Sequence, residues 1–298
     1  METREYTVVN SFAEKSFGGN PAGVFINAEG LDRAAMQSMA RQMNLVESVF
    51  VFPSAEKEYD FYFRYFTPQK ELPIAGHPTI AAVLALMENK AIEAEKRTAY
   101  AIKTNAGIKR INITGSESGP VVTMEQQKPV FYEILGDRKK AAEILALEEG
   151  DLMEDLPVQP VDTGLGHIIV AVKSLEALMR VQRKTGPLKK LCEDSGVMEA
   201  QVFTFETYGS DKTLHTRNIC PREGIEDPAC GVGNGALAAY LLKHFCRHED
   251  RITVRAEQGD IVGMPSVVEA TALRKEDGIE VWVGGRGKVM RKGIFFLD

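Results

Sequence analysis

Two glycine-led helix starts are the features of this sequence that point most directly to chemistry. Gly76-His77-Pro78 and the segment Gly231–Gly235 each come directly before an apolar run. Pro78 suits the first turn of a helix, where its missing N–H costs nothing. Unpaired N–H groups and the positive end of the helix dipole bind anions at such positions. If both starts face one cleft, they form a cradle for a small carboxylate; the simpler interpretation is that they only begin helices.

Each start leads into a helix that is apolar almost all round. The predicted helices are PTIAAVLALMENK at 78–90 and ALAAYLLKHF at 236–245. Such helices must be enclosed, because exposing them costs about 25 cal/mol per Å² of apolar surface. A further helix is predicted from Asp32 to Met43, with Asp32 as its N-cap. Runs of β-branched and aromatic residues predict strands at 6–12, 22–26, 48–52, 59–66 and 213–219.

The sequence also shows an internal repeat. Arg64-Tyr-Phe-Thr-Pro68 aligns with Arg217-Asn-Ile-Cys-Pro221, and the segment from Glu71 to Gly76 aligns with the segment from Glu226 to Gly231. The spacing differs only in the loop between the two blocks. Chance similarity of glycines and prolines is the alternative. The repeat predicts two half-chains of one design, each with a strand, an acidic loop and a buried helix.

Many strands around few apolar helices predict an α+β fold of two β-barrel-like halves, each wrapped around a central helix, with a cleft between them. The loop residues GSESGP at 115–120 mark the predicted boundary. The expected N-terminal half is therefore 1–117 together with about 285–298, and the C-terminal half is 118–284.

Composition excludes several function classes. The net charge is -6 and no long basic cluster occurs, which argues against a nucleic-acid partner. No apolar run approaches the roughly 18 to 20 residues that cross a bilayer, so no membrane partner is expected. The start METREYTVVN does not resemble a signal peptide, and the four cysteines form no CxxC pair. These features predict a cytoplasmic protein with reduced thiols.

No cofactor motif is recognisable. The glycines at 284–288 lack the spacing of a phosphate-binding loop, and Gly164-Leu-Gly166-His167 lacks the third glycine of a dinucleotide fingerprint. We therefore predict neither a cofactor nor a metal site.

Four blocks of sequence carry a family resemblance: GNPAGVF at 19–25, NLVESVFVFP at 44–53, FRYFTPQKELPIAGHPTIAA at 63–82 and EDPACGVGNGALAAYL at 226–241. Together they resemble the PhzF-like phenazine-biosynthesis isomerase family, within the group that has the diaminopimelate-epimerase fold. The resemblance implies two pseudo-twofold-related barrels, a cofactor-free active site and a homodimer. It also implies an isomerase that moves a proton within a small carboxylic acid, as in the isomerisation of a dihydro-hydroxyanthranilate.

The resemblance also assigns roles to residues. Glu47 matches the family's acid/base, and His77 and Asp227 match its polar partners. One carboxylate can take a proton from one carbon and return it to another on the same face. Apolar neighbours of Glu47 such as Val49 and Phe50 are expected to raise its pKa by burial. The expected substrate-binding positions are Asn20, Gly76, Cys230, Gly231 and Val232.

The sequence departs from related patterns at several of these positions. Epimerases of this fold use two cysteines, one from each half; here the first position is Ala75 and the second is Cys230. Val46 and Val232 stand where serine is common in the family, which puts the phenazine-pathway substrate in doubt. Two alternatives therefore stay open: a racemase or epimerase with Glu47 opposite Cys230, and a non-catalytic metabolite-binding protein.

Overall fold

A computed structural model describes residues 2–115 and 119–297 of the chain. The chain forms two compact units, unit 1 with Met1–Glu125 and Gly284–Asp298, and unit 2 with Gln126–Val283. Residues 116–118 of the predicted boundary segment GSESGP lie outside the described part of the chain.

Strands outnumber helices in both units. The helices are α1 Arg33–Met43, α2 Gly76–Glu88, α3 Arg138–Ile144, α4 Leu175–Arg180, α5 Thr185–Asp194 and α6 Gly231–His244, with short 3₁₀ turns at Glu149–Asp151 and Asp260–Val262. The strands are β1 Glu2–Ser11, β2 Asn20–Phe25, β3 Glu47–Pro53, β4 Phe61–Phe66, β5 Glu71–Leu72, β6 Ala99–Thr104, β7 Gly107–Thr114, β8 Val121–Glu125, β9 Val130–Phe131, β10 Gln159–Asp162, β11 Gly166–Ala171, β12 Glu199–Thr204, β13 Leu214–Cys220, β14 Ile225–Asp227, β15 Arg251–Gln258, β16 Ser266–Lys275, β17 Gly278–Gly285 and β18 Gly287–Leu297.

Helix α1 sets the position of β3. Its N-cap is Asp32, as predicted, and the Asp32 side chain accepts a hydrogen bond from the Ala35 N–H at 2.7 Å. The apolar face of the helix packs into a cluster that includes Phe25 and Phe50. The helix ends at Asn44, whose left-handed φ of 52° turns the chain, and β3 follows shortly afterwards. Packing and capping of α1 therefore determine where β3 begins.

The two apolar helices are the buried centres of their units. Residues 78–86 of α2 are buried, and α2 packs on strands β1, β2 and β8 of unit 1. Residues 233–242 of α6 are buried, and α6 packs on β11, β15 and β16 of unit 2. Enclosure of both helices by strands is confirmed. None of the helices within the described ranges is long and apolar enough to cross a membrane.

The start of α6 corrects one expectation. The segment GVGNG was expected to be a loop before a helix at 236, but it forms the first turn and a half of α6. A Cβ atom at Gly233 would lie 2.6 Å from Gln201 Oε1, and one at Gly235 would lie 2.8 Å from a Val283 methyl group. These glycines are therefore required for close packing, which outweighs the low helix propensity of glycine.

Both units use the same order of strand pairing. In unit 1, β2 pairs parallel with β3, β3 pairs antiparallel with β4, and β4 pairs antiparallel with β5 before α2. In unit 2, β11, β12, β13 and β14 repeat these pairings in the same order before α6. The internal repeat predicted from the sequence is confirmed by this topology.

The repeated arginine and glutamate form matching ion pairs. Arg64 donates to both carboxylate oxygens of Glu71 at 2.8 and 3.0 Å. Arg217 donates to both oxygens of Glu226, each at 2.9 Å. Each pair joins the strand before the loop to the short strand after it, so the pair fixes the turn that leads into the central helix.

Candidate active site

In unit 1 the structure brings Glu47 and His77 together. Glu47 is the first residue of β3, and His77 lies in the first turn of α2. His77 Nδ1 lies 3.5 Å from Glu47 Oε2, and the two side chains are 10% and 17% exposed. A carboxyl group and an imidazole that share a largely water-free position can exchange or relay a proton.

The imidazole of His77 is neutral, and one of its ring nitrogens is buried without a described partner. Burial lowers its pKa to about 4, although the Pro21 backbone carbonyl opposes this shift. His77 Nε2 has no hydrogen-bond partner among the described residues. Such a buried unpaired polar atom is costly, which favours a ligand that would supply its partner.

The start of α2 is also open. Its N-cap is Ala75, whose side chain makes no capping hydrogen bond. No described atom would lie within 4 Å of a Cβ at Gly76. The first N–H groups of α2 can therefore bind an anionic group directly.

Asn20 belongs to the same neighbourhood. It is buried at the start of β2, opposite Ser11 of β1 and next to Pro21, whose backbone carbonyl acts on the pKa of His77. Ser11 Oγ donates to the backbone carbonyl of His77 at 2.7 Å. Asn20 is therefore the strand partner of Ser11, the residue that hydrogen-bonds to the backbone of His77.

In unit 2 the predicted residues gather at the start of α6. Asp227 ends β14, and its Oδ1 accepts a hydrogen bond from the Ala229 N–H at 2.8 Å. Burial raises the pKa of Asp227 to about 6. Gly231 is the first residue of α6, and the backbone carbonyl of Val232 accepts a hydrogen bond from Thr163 Oγ1 at 3.2 Å.

Cys230 is the N-cap of α6. Its Sγ accepts a hydrogen bond from the Gly233 N–H at 3.3 Å and lies 3.5 Å from His167 Nε2. Burial, followed by the neighbouring carboxylates of Glu199 and Asp227, raises the pKa of Cys230 well above its ordinary value. In this environment the side chain is a thiol and not a thiolate.

Sequence reasoning missed two residues of this group, His167 and Glu199. His167 Nε2 lies 3.0 Å from Glu199 Oε2. The strand register supplies the signal that would have found Glu199. Glu47 begins β3 opposite Ala22 of β2, and Glu199 begins β12 opposite His167 of β11. Glu199 is therefore the counterpart of Glu47 in the internal repeat.

The structure thus places the predicted residues in two groups. Glu47, His77, Asn20 and Gly76 lie in unit 1, and Asp227, Cys230, Gly231 and Val232 lie in unit 2. That both groups act on one substrate stays a prediction.

The chain is similar to several known proteins. A family described as phenazine biosynthesis-like protein, PhzC-PhzF, matches residues 9–293. An uncharacterized isomerase of Clostridium acetobutylicum is 35% identical over 99% of both chains. A trans-2,3-dihydro-3-hydroxyanthranilate isomerase of Pseudomonas fluorescens is 29% identical over 98% of this chain and 99% of its own.

A solved structure has the same fold. The crystal structure of a Bacillus anthracis phenazine biosynthesis protein of the PhzF family superposes with a TM-score of 0.90 and 27% identity, and all of both chains is covered. This similarity confirms the predicted α+β, diaminopimelate-epimerase-like fold class.

Proposed function

Because this chain belongs to the phenazine biosynthesis-like PhzC-PhzF family and is one of its isomerases, we propose that it moves a proton within a small carboxylate-bearing metabolite, with Glu47 as the acid/base. The observation that carries the proposal is the contact between Glu47 and His77, 3.5 Å apart at the open start of α2. Such a proton shift changes no oxidation state, so one carboxyl group and its partners suffice for the chemistry.

Glu47 takes the proton from one carbon of the substrate and returns it to another. Its side chain is mostly enclosed by unit 1 but keeps 17% exposure, so a ligand can reach it. This exposure also admits solvent, so in D2O the transferred position acquires deuterium while the carboxyl group holds the proton. The same group can therefore act first as base and then as acid.

His77 positions Glu47 and contacts the substrate. The imidazole remains neutral at ordinary pH, since burial lowers its pKa to about 4. Its buried, unpaired Nε2 accepts a hydrogen bond from a hydroxyl or ammonium group of the substrate when ligand binding opens access to it. This nitrogen is buried and unpaired without a ligand, and it gains a hydrogen-bond partner when the substrate binds.

The substrate carboxylate binds at the uncapped amides of α2. The open space at Gly76 admits the carboxylate oxygens to these N–H groups. Charge at such a helix start is stabilised by about 0.3 to 1 kcal/mol, and by more where the site is partly buried. Asn20 supplies a further polar group to the bound acid.

Asp227 is the proposed proton-relay partner from unit 2. With a pKa raised to about 6, part of its population carries a proton near neutral pH and can donate it. The substrate class agrees with the name of the Pseudomonas fluorescens relative, whose compound is a small amino acid with a carboxylate. The predicted homodimer and cytoplasmic location remain part of the proposal, and all four cysteines are free thiols, which fits a reducing compartment.

The test is hydrogen exchange in D2O. The first probe is trans-2,3-dihydro-3-hydroxyanthranilate, followed by a panel of small unsaturated carboxylic acids. Deuterium incorporation measured by mass spectrometry should fall on the order of 10²- to 10⁴-fold in Glu47→Gln. The matched control is Glu88→Gln at the opposite end of α2, where the side chain is half exposed and pairs with Lys292. Undiminished exchange in a folded Glu47→Gln variant would refute the assignment.

The alternative epimerisation with Glu47 opposite Cys230 is less well supported. A racemase runs in both directions, so Cys230 would have to act as a base in one of them. The raised pKa of its thiol opposes that role. Cys230→Ser should therefore keep most of the exchange activity, and a loss of several orders of magnitude would favour the epimerase.

A further inference from the structure

Unit 2 contains a buried group of three different metal-binding side chains. His167 Nε2, a carboxylate oxygen of Glu199 and Cys230 Sγ all lie within 4.8 Å of one another. The three residues come from β11, β12 and the N-cap of α6. His167 and Cys230 are buried, and the Glu199 side chain is 15% exposed, which leaves an approach from solvent.

The imidazole of His167 is oriented as a metal ligand. Its Nδ1 lies 2.8 Å from the backbone carbonyl of Leu165. A carbonyl only accepts, so Nδ1 carries a proton, and Nε2 donates to the Glu199 carboxylate at 3.0 Å until a metal ion replaces that proton. Histidines that bind metals are held in this way by a carbonyl or carboxylate at the other nitrogen.

The spacing of the donor atoms matches a tetrahedral zinc site. Zinc–nitrogen bonds of about 2.05 Å and zinc–sulfur bonds of about 2.3 Å at a tetrahedral angle separate nitrogen and sulfur by about 3.6 Å. The observed distance from His167 Nε2 to Cys230 Sγ is 3.5 Å. The same construction separates nitrogen and a carboxylate oxygen by about 3.4 Å, and the observed distance to Glu199 Oε2 is 3.0 Å. Both distances to His167 Nε2 therefore need a shift of only a few tenths of an ångström, and all three donor atoms lie within 4.8 Å of one another.

The surroundings keep this position clear and hold the ligands. A Cβ at residue 233 would lie 3.0 Å from His167 Nε2, so Gly233 leaves room beside the nitrogen. The Gly233 N–H already donates to Cys230 Sγ, an outer contact of the kind that supports a metal ligand.

Charge also favours a divalent cation. Glu199 and Asp227 place negative charge near Cys230. A thiolate from Cys230 and a carboxylate from Glu199 balance the two positive charges of the metal, and the thiol proton and the Nε2 proton of His167 both pass to solvent on binding. Mixed nitrogen, sulfur and oxygen ligands are typical of zinc.

We propose that His167, Glu199 and Cys230 bind one zinc ion in unit 2, with the fourth position available to water or another small ligand. The proposal goes beyond the isomerase function and rests on unit 2 alone. Glu47 and His77 take no part in it. It departs from the expectation of no metal site, which did not consider His167 and Glu199 as ligands.

The experiment is a titration of the chelator-treated chain with Co²⁺, which reports a thiolate ligand by a charge-transfer band in the near ultraviolet and a tetrahedral site by intense visible bands. We expect one equivalent of Co²⁺ to bind and an added equivalent of Zn²⁺ to displace it. Cys230→Ser should lose the charge-transfer band and weaken Zn²⁺ binding on the order of 10²-fold or more, since it removes one of three protein ligands.

The control variant is Cys246→Ser, which removes a more accessible thiol of the same unit and should bind both metals as the wild type does. His167→Gln should also lose the tetrahedral bands, and circular dichroism verifies that each variant is folded. A wild-type chain without stoichiometric binding overturns the proposal, and so does a charge-transfer band that survives in Cys230→Ser. The titration needs no substrate, so failure of the isomerase proposal leaves its result unaffected.

Discussion

Helix α2 begins at Gly76 after an N-cap residue, Ala75, whose side chain makes no capping hydrogen bond, whereas α6 begins at Gly231 beneath the sulfur of Cys230. The two helices follow the same order of strands, and the residues before them occupy matching positions in the repeat. Ala75 in one unit and Cys230 in the other make the difference. One helix start is thus open to a ligand, and the other is occupied by the chain's own side chains.

The glutamates at the start of the equivalent strands show the same contrast. Glu47 meets a histidine from the following helix, while Glu199 meets a histidine from the neighbouring strand. The backbone repeat therefore fixes the place of the carboxyl group, and the sequence of each unit decides which partner it has. A duplicated fold can in this way carry two different chemistries.

The largest expected difference between the units concerns the repeated ion pair. The side chains of Arg217 and Glu226 are 3% and 1% exposed, against 19% and 11% for Arg64 and Glu71. Glu226→Gln leaves a buried guanidinium without its counter-ion and should lower the free energy of unfolding by about 3 to 5 kcal/mol. Glu71→Gln acts on a pair that is somewhat more accessible to water and should cost less, about 1 to 2 kcal/mol. Urea unfolding of both variants measures the difference. If both lose the same free energy of unfolding, burial does not decide the strength of the two ion pairs.

The next effect tests the neutral state of His77. Its pKa is about 4 in the folded chain and 6.5 in the unfolded chain. Between these values the unfolded chain binds a proton that the folded chain does not. The free energy of unfolding therefore falls as the pH is lowered, by up to about 1.4 kcal/mol per pH unit from this group.

His77→Asn removes this contribution. The stability of the variant relative to the wild type should therefore improve progressively from pH 6.5 down to about pH 4. Urea unfolding across this range measures the difference. If the two stability curves run parallel, the imidazole of His77 is not buried in its neutral form.

The smallest predicted effect compares glycines at the two helix starts. Gly233→Ala places a methyl group 2.6 Å from Gln201 Oε1, and Gln201 is held by a hydrogen bond from Asn218. The cost should be about 1 to 3 kcal/mol of unfolding free energy. A Cβ at Gly76 meets no atom within 4 Å beyond its chain neighbours and its own helix. Gly76→Ala should therefore change the free energy of unfolding by no more than about 0.5 kcal/mol, in the direction of a more stable helix. A destabilisation by Gly76→Ala as large as that by Gly233→Ala would show that α2 is not open at its start.

Much of the fold could be predicted from local patterns. The Asp32 cap, the apolar run of α2 and the strand at 48–52 depend on neighbouring residues, so the sequence alone identifies them. The family resemblance identified Glu47 and His77, and the structure places them in contact. The sequence predicted that α6 begins at residue 236, but it begins at Gly231. Its glycines look like loop residues until their packing against Gln201 and Val283 is known.

The group of His167, Glu199 and Cys230 could not be predicted in the same way. His167 and Glu199 are separated by 32 residues, and His167 and Cys230 by 63. No short motif joins them, and only the parallel pairing of β11 with β12 beside α6 brings their donor atoms together.

By itself the sequence determined the two apolar helices, the repeat that precedes them and the family, because all three are written in residue type and short spacing. The tertiary structure alone decided which helix start is open, which histidine each glutamate meets and which polar atoms are shielded from water. These properties depend on the distance between atoms that lie far apart in the chain, and such distances are set only when the strands pair and the helices are enclosed.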